Sequence, residues 1–199
     1  MTSRARLMTG FVCRFAVIYG LLIVPWPGVN ELYARYFTSL GQMAFFREGE
    51  KREVQFVSHT TQHGFTTLTT QMIISNRSQV DENGKVRALM VDLDTRSIGW
   101  VPTALLIALV LATPVPRPRR IGALFLGLLL VQGFILFSIQ ACIWNKSTDL
   151  ALFSVTPFWK YLLDGLDYTL LTQMGASFSV PVLIWLLVTF RKQDLDLVR

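Results

Sequence analysis

Charge is what this sequence has least of. Charged residues fill 16% of its 199 positions, against about a quarter in an ordinary globular domain. The deficit is concentrated. No charged residue occurs from Trp100 to Pro116, from Ile121 to Trp144 or from Leu170 to Phe190. Uninterrupted apolar runs of roughly 18 residues or more read as membrane-spanning helices, and the first run reaches that length if it begins near Thr95. Reactive residues are scarce too. Two cysteines make no disulfide framework, and there are only two histidines. Gly-rich phosphate loops and nucleophile elbows are absent.

The charge that is present is basic in excess, +6 overall, but it forms no stripe with interleaved aromatics, which argues against nucleic acid as a partner. Between Asn30 and Ile98 eight basic residues balance eight acidic ones. The surplus lies beside apolar runs: Arg4, Arg6 and Arg14 at the first, Arg117, Arg119 and Arg120 in "PRPRR", and Arg191 and Lys192 after the last. Basic clusters flanking spans mark the cytoplasmic side. Placing Arg117, Arg119, Arg120, Arg191 and Lys192 inside makes them the topology-determining residues and puts both termini in the cytoplasm. Pro114, Pro116 and Pro118 are expected to stop the second span and hold a hairpin open. Trp26, Trp100 and Trp144 then fall at outer ends of spans, where indole rings anchor at the interface. Arg14, inside the first apolar run, is expected to snorkel toward the inner face.

The outer segment carries its own signals. In "NELYARYFTSLGQMAFF", Leu32, Tyr33, Tyr36, Phe37, Leu40, Met43 and Ala44 recur at helical spacing, opposite Glu31, Arg35, Ser39 and Gln42, with Asn30 as a cap. Further on, Val54, Phe56 and Ser58 alternate with Gln55 and Val57, and "GFTTLTTQMIIS" is rich in β-branched residues. Asn83-Gly84 suits a hairpin turn before "KVRALMVDLD". An antiparallel sheet of three or four strands is expected, its last strand leading into the second span.

The expected fold class is membrane α-helical: four transmembrane helices with a small α+β periplasmic domain containing the sheet. Its parts are 1–29 (cytoplasmic tail and first span), 30–96 (amphipathic helix and β-rich domain), 97–144 (second span, Arg/Pro turn, third span), 145–169 (second periplasmic segment) and 170–199 (fourth span and tail).

Candidate chemistry is sparse. Cys13 and Cys142 fall on opposite sides, which excludes a mutual disulfide, and each reads first as a packing residue. Cys142 shares its side with His59 and His63, so a thiol nucleophile is the alternative reading. In "HTTQH" the two histidines stand four apart, but their neighbours are strand-like and no third ligand follows, so no metal site is assigned. Asp92, Asp94, Asp164 and Asp167 read as solvated charges. Asn76 and Asn145 match the N-glycosylation pattern. No catalytic, cofactor-binding or metal-ligating residue is assigned, and no cofactor is expected.

The stretch "VDLDTRSIGWVPTALLIALVLATPVPRPRR" (Val91 to Arg120) resembles the small membrane proteins associated with exosortases, bacterial enzymes that process proteins bearing a C-terminal sorting signal. Ile98-Gly99-Trp100-Val101-Pro102 corresponds to their entry into an apolar run, and Leu111-Ala112-Thr113-Pro114 to its close. Outside this stretch the resemblance lies in the order of parts. It implies a non-catalytic accessory or assembly partner of an exosortase-type enzyme in a Gram-negative inner membrane, with the lipid bilayer as second partner. The alternatives are a thiol-dependent membrane transpeptidase or protease using Cys142, and a subunit of an unrelated membrane complex. Exosortases themselves differ: "IQACIWN" lacks the small polar and glycine residues expected after their cysteine.

The orientation has a direct test. With Cys13 and Cys142 replaced by alanine, a membrane-impermeant thiol reagent applied from outside is expected to modify a Gly84→Cys probe and spare a Pro118→Cys probe. The reverse pattern inverts the assignment.

Overall fold

The computed structural model describes residues 3–24, 26, 28–45, 47–48, 52–63, 65–80, 86–150, 152, 156–168 and 174–190. Among these described residues six α-helices and four strands follow in the order α1 (Ser3–Ile23), α2 (Val29–Phe45), β1 (Arg47–Glu48), β2 (Arg52–His63), β3 (Phe65–Val80), β4 (Val86–Leu93), α3 (Val101–Ala112), α4 (Arg117–Asp149), α5 (Pro157–Asp167) and α6 (Met174–Thr189). A wide π-helical turn, Arg96–Trp100, joins β4 to α3. Pro102, with no N–H to donate and a ring that crowds the carbonyl four residues earlier, sits just beyond it.

The expectation of four transmembrane helices is corrected by helix length. Among the described residues only α4, at 33 residues, is long and apolar enough to cross a membrane; at 1.5 Å per residue it is about 50 Å long. The other apolar helical stretches are Met8–Ile23, Arg96–Ala112 and Gly175–Thr189. At the same rise they extend about 23–26 Å, short of a hydrocarbon core ~30 Å thick. The apolar run that contains α3 is longer than the helix it forms, because Thr113 turns extended at the end of α3. Helix α4 continues unbroken past residue 144 to Asp149.

The sheet is antiparallel with strands in sequence order. Val54 pairs with Ile74 and Phe56 with Met72, and across the next ladder Ile74 meets Leu89 and Met72 meets Val91. Because side chains alternate along a strand, this register aligns Val54, Phe56, Met72, Ile74 and Leu93 on one buried face. Each such side chain withdrawn from water contributes about 1.5–3 kcal/mol. The turn at Asn83-Gly84 lies outside the described residues.

Helix α2 packs on this face, rotated from the expected stripe. Ala34, Phe37 and Gly41 are buried, whereas Leu32 and Met43 are exposed. A Cβ on Gly41 would come within 2.9 Å of the Phe56 ring, so glycine sets how closely helix and sheet approach. Asn30 falls inside the first turn of a helix that starts at Val29. On the expected polar side, Gln42 Oε1 accepts from the Phe56 amide at 3.0 Å, satisfying an N–H that strand pairing leaves open. Thr38 Oγ1 lies 3.0 Å from Thr70 Oγ1 and 3.2 Å from Ser58 Oγ.

One core runs through both halves of the molecule. Phe37, Met72 and Ile74 from the helix-sheet layer belong to the same cluster as Ile135, Ile139, Cys142, Ile143 and Leu150 from α4, and as Leu106 and Val110 from α3. Helix α4 is therefore shared. Its first half packs in the bundle, where Gly127 lets Leu106 approach, and its second half backs the sheet. A buried clasp closes this junction: Asn76 Nδ2 donates to the Leu150 carbonyl at 2.9 Å, and Asn76 Oδ1 accepts from the Ser78 amide at 3.1 Å and from the Ser78 hydroxyl.

Removing the clasp strands a buried carbonyl, a loss of about 1–3 kcal/mol. An Asn76→Ala variant is expected to lower the thermal midpoint of the detergent-solubilised protein while an exposed-site control, Ser39→Ala, leaves it unchanged.

Candidate functional site

Of the residues singled out for topology, Arg119 and Arg120 make side-chain hydrogen bonds at one end of the bundle. Helix α3 ends at Ala112, and the extended link Thr113–Pro116 leads into α4. Pro118 does not hold a turn open. It sits in the first turn of α4, where the missing N–H costs nothing. Arg119 Nη2 donates to the Thr189 carbonyl at the end of α6, at 2.6 Å. Arg120 Nη2 donates to the Thr113 and Val115 carbonyls, both at 3.2 Å. Helix C-termini leave carbonyls without intrahelical donors and carry partial negative charge, so two guanidiniums close the ends of α3 and α6 together. Trp185 Nε1 donates to Thr113 Oγ1 at 2.9 Å, tying α6 to the same link. Arg117 is exposed. Arg191 and Lys192 lie outside the described residues.

The other end of the bundle is tied by indoles. Trp26 Nε1 donates to the Leu21 carbonyl and Trp100 Nε1 to the Leu22 carbonyl, each at 2.9 Å, and Arg96 Nη2 donates to Ile23 O at 2.7 Å. Here the C-terminal carbonyls of α1 are the acceptors. The Trp100 ring meets Tyr33 edge-on at 5.2 Å, and the Tyr36 hydroxyl donates to Gln132 Oε1 at 3.3 Å. Trp144 stands apart from this level. It lies twelve residues beyond Gln132 on α4, about 18 Å further along the axis, beside the sheet and 45% exposed. The three tryptophans do not mark one plane.

Tyr33 is the most perturbed group at this end. Burial first, and then the neighbouring Tyr36 phenol, push its hydroxyl up to about 12, against a smaller downward pull from Thr103 and Gln132. The phenol therefore stays protonated at physiological pH, and its buried oxygen lacks a hydrogen bond of ordinary geometry. Gly99 makes room for it: a Cβ there would stand 2.6 Å from Tyr33 Oη. The sequence pattern alone gave no reason to single out Tyr33, because the signal is a close approach between residues 66 positions apart.

Apolar side chains exposed on three helices make up an apolar flank. Met8, Val12, Val17 and Leu21 on α1, Ile121, Phe125 and Leu129 on α4, and Leu183 and Leu187 on α6 are exposed. Only 28% of the most apolar window of α4 is buried, unlike the core helix of a water-soluble domain. Exposed apolar surface of this extent marks contact with lipid or with another protein.

The candidate reactive groups lie on different elements, Cys142 on α4 and the two histidines on β2. Cys142 is 1% exposed within the core cluster; Cys13 is exposed, and neither is in a disulfide. His59 and His63 lie on β2, opposite Thr69 and Phe65, and four residues of strand separate their backbones by about 13 Å. No group of three or more His, Cys, Asp or Glu residues suited to a metal occurs among the described residues. Asp94 accepts from the Arg96 amide at 3.0 Å and the Ser97 hydroxyl at 2.6 Å, capping the turn into α3. Asp92 accepts from Gln71 at 3.0 Å. Glu53, on the sheet's outer face, is held below the usual carboxylate range by its hydrogen bond from Arg77 and then by Gln55. Asn76 and Asn145, the two glycosylation matches, are both buried. No protein-family model, curated protein or solved structure matches the chain.

The Gly99–Tyr33 contact is testable as a pair. Gly99→Ala is expected to destabilise the fold by about 1–3 kcal/mol through overpacking. Adding Tyr33→Phe, which deletes the clashing oxygen, is expected to restore part of that loss in a double-mutant cycle read by thermal denaturation.

Proposed function

We propose that this chain is a membrane-embedded, non-catalytic assembly partner. In this reading α4 crosses the bilayer with α3 and α6 packed against it and α1 packed on α3, and the sheet is displayed beyond the lipid for another protein. The observation that carries the proposal is the apolar flank, which borders a basic end and joins a folded sheet through one continuous helix. The lipid-facing part of α4 ends near Phe137; beyond it the helix buries Ile139, Cys142 and Ile143 against the sheet side. The arginines at the opposite end resist transfer through the bilayer and favour an anionic leaflet. An inner-membrane location with cytoplasmic Arg117, Arg119 and Arg120 agrees with that distribution.

The resemblance of Val91 to Arg120 to exosortase-associated proteins supports an exosortase-type sorting enzyme as the partner. A buried Cys142 supports an accessory rather than a thiol-nucleophile role, because a nucleophilic thiolate needs access and a stabilising charge.

Affinity purification of the tagged chain in mild detergent is expected to recover a multi-span processing enzyme. Cys142→Ala is expected to leave cleavage of a sorted substrate unchanged in cells where deletion of the whole chain impairs it. Cleavage of a sorting-signal peptide by the purified chain alone, abolished by Cys142→Ala, overturns the assignment.

A further inference from the structure

A cleft between α1 and the end of α3 is lined by Arg6, Gly10, Phe11 and Arg14 on one side and by Ala112 and Pro114 on the other. Its cavity is about 100 Å³, where a water molecule requires about 10–15 Å³ on the same measure. It has room for a polyatomic group.

Arg6, Gly10 and Arg14 are spaced four residues apart and share one face of α1. Gly10 keeps that face open, since a Cβ placed there would meet nothing within 4 Å. Two exposed guanidiniums thus flank a notch whose floor is glycine and whose walls are a phenyl ring, a proline and an alanine. Among the described residues neither arginine has a carboxylate partner. Nearby acceptors are already engaged: the Thr113 and Val115 carbonyls take Arg120, and the Thr113 hydroxyl takes Trp185. Arg14 lies within the apolar stretch Met8–Ile23, where an uncompensated charge is costly.

We infer that this cleft binds a phosphate group, held by Arg6 and Arg14 over Gly10. Guanidinium and phosphate match in charge and in fork geometry, and such charge-assisted pairs are the stronger hydrogen bonds. The apolar walls suit the first carbons of an ester attached to that phosphate. An anionic phospholipid headgroup and free phosphate share the recognised chemistry. Co-purification of a partner is not read in the test below, so this inference and the assembly reading fail independently.

The full-length chain is placed in nanodiscs of phosphatidylcholine with or without phosphatidylglycerol, and retained lipid is counted by native mass spectrometry. In parallel, inorganic phosphate is titrated against chloride at matched ionic strength while thermal stability is followed. Three variants are compared. Arg6→Gln/Arg14→Gln removes the donors, Gly10→Leu fills the notch without touching charge, and Arg117→Gln removes an exposed arginine outside the cleft. Retention of phosphatidylglycerol that falls about tenfold or more in the first two variants, the worth of a charge-assisted hydrogen bond, and persists in Arg117→Gln identifies a lipid headgroup. Stabilisation by inorganic phosphate lost in the same two variants, without lipid retention, identifies the free ion. Should Arg6→Gln/Arg14→Gln fail to fold, Gly10→Leu carries the comparison. Equal binding by wild type and Gly10→Leu, or no binding of either probe by wild type, overturns the inference.

Discussion

The structure depends on the burial of one side of α4 along two different partners. Helix α4 packs against α3, α6 and α5, and its buried residues from Val131 to Leu150 share one hydrophobic cluster with Phe37, Met72 and Ile74 of the helix-sheet layer. Neither partner stands alone. A four-stranded sheet with one two-residue edge strand has little core of its own, and α1 and α6 expose many apolar side chains while α3 is buried among the other helices. The hydrophobic seam joins them into one cooperative unit, and the Asn76–Leu150 hydrogen bond fixes how far along α4 the sheet sits.

The helix ends explain the uneven distribution of polar groups in so apolar a chain. At one end Arg119 and Arg120 supply donors to carbonyls of α6 and of the α3–α4 link; at the other Trp26, Trp100 and Arg96 supply them to α1. A carbonyl left without a donor in apolar surroundings is costly, so these few donors are spent where helices terminate. The same arginines that bias orientation across a bilayer also close the bundle. The two roles are compatible because the guanidinium carries five donors.

Much of the sheet was legible because strand periodicity is local. The alternation of Val54 and Phe56 with Gln55 and Val57 states which face is buried, and the register then follows. Helix α2 was legible as a helix, but its buried face was not. Leu32 and Met43 are as apolar as Phe37, and only the position of the sheet, with Phe56 against Gly41, decides which side turns inward. Helix lengths misled because hydropathy does not see termination. The run that contains α3 has no charge before Arg117, yet the helix stops at Ala112. In the opposite sense Asn145, Lys146 and Ser147 open the expected second periplasmic segment, yet α4 continues through them with Asn145 and Ser147 buried. The capping role of Arg119 was beyond reach of the sequence, since its acceptor, Thr189, lies 70 residues away. The cleft at Gly10 was hidden for the same reason: Arg14 looked like an isolated charge until α3 brought Pro114 beside it.

Because α4 is unbroken from Arg117 to Asp149, it transmits angle as faithfully as distance. Each residue of an α-helix advances the chain by 1.5 Å and turns it by about 100°. Inserting one residue near Gln132 would swing the strand layer about 100° around the helix axis relative to the arginine end, though it would be lifted hardly at all. Residue count between the two halves therefore acts as a phase setting, and the azimuth at which the sheet faces its surroundings is written into the length of a single helix.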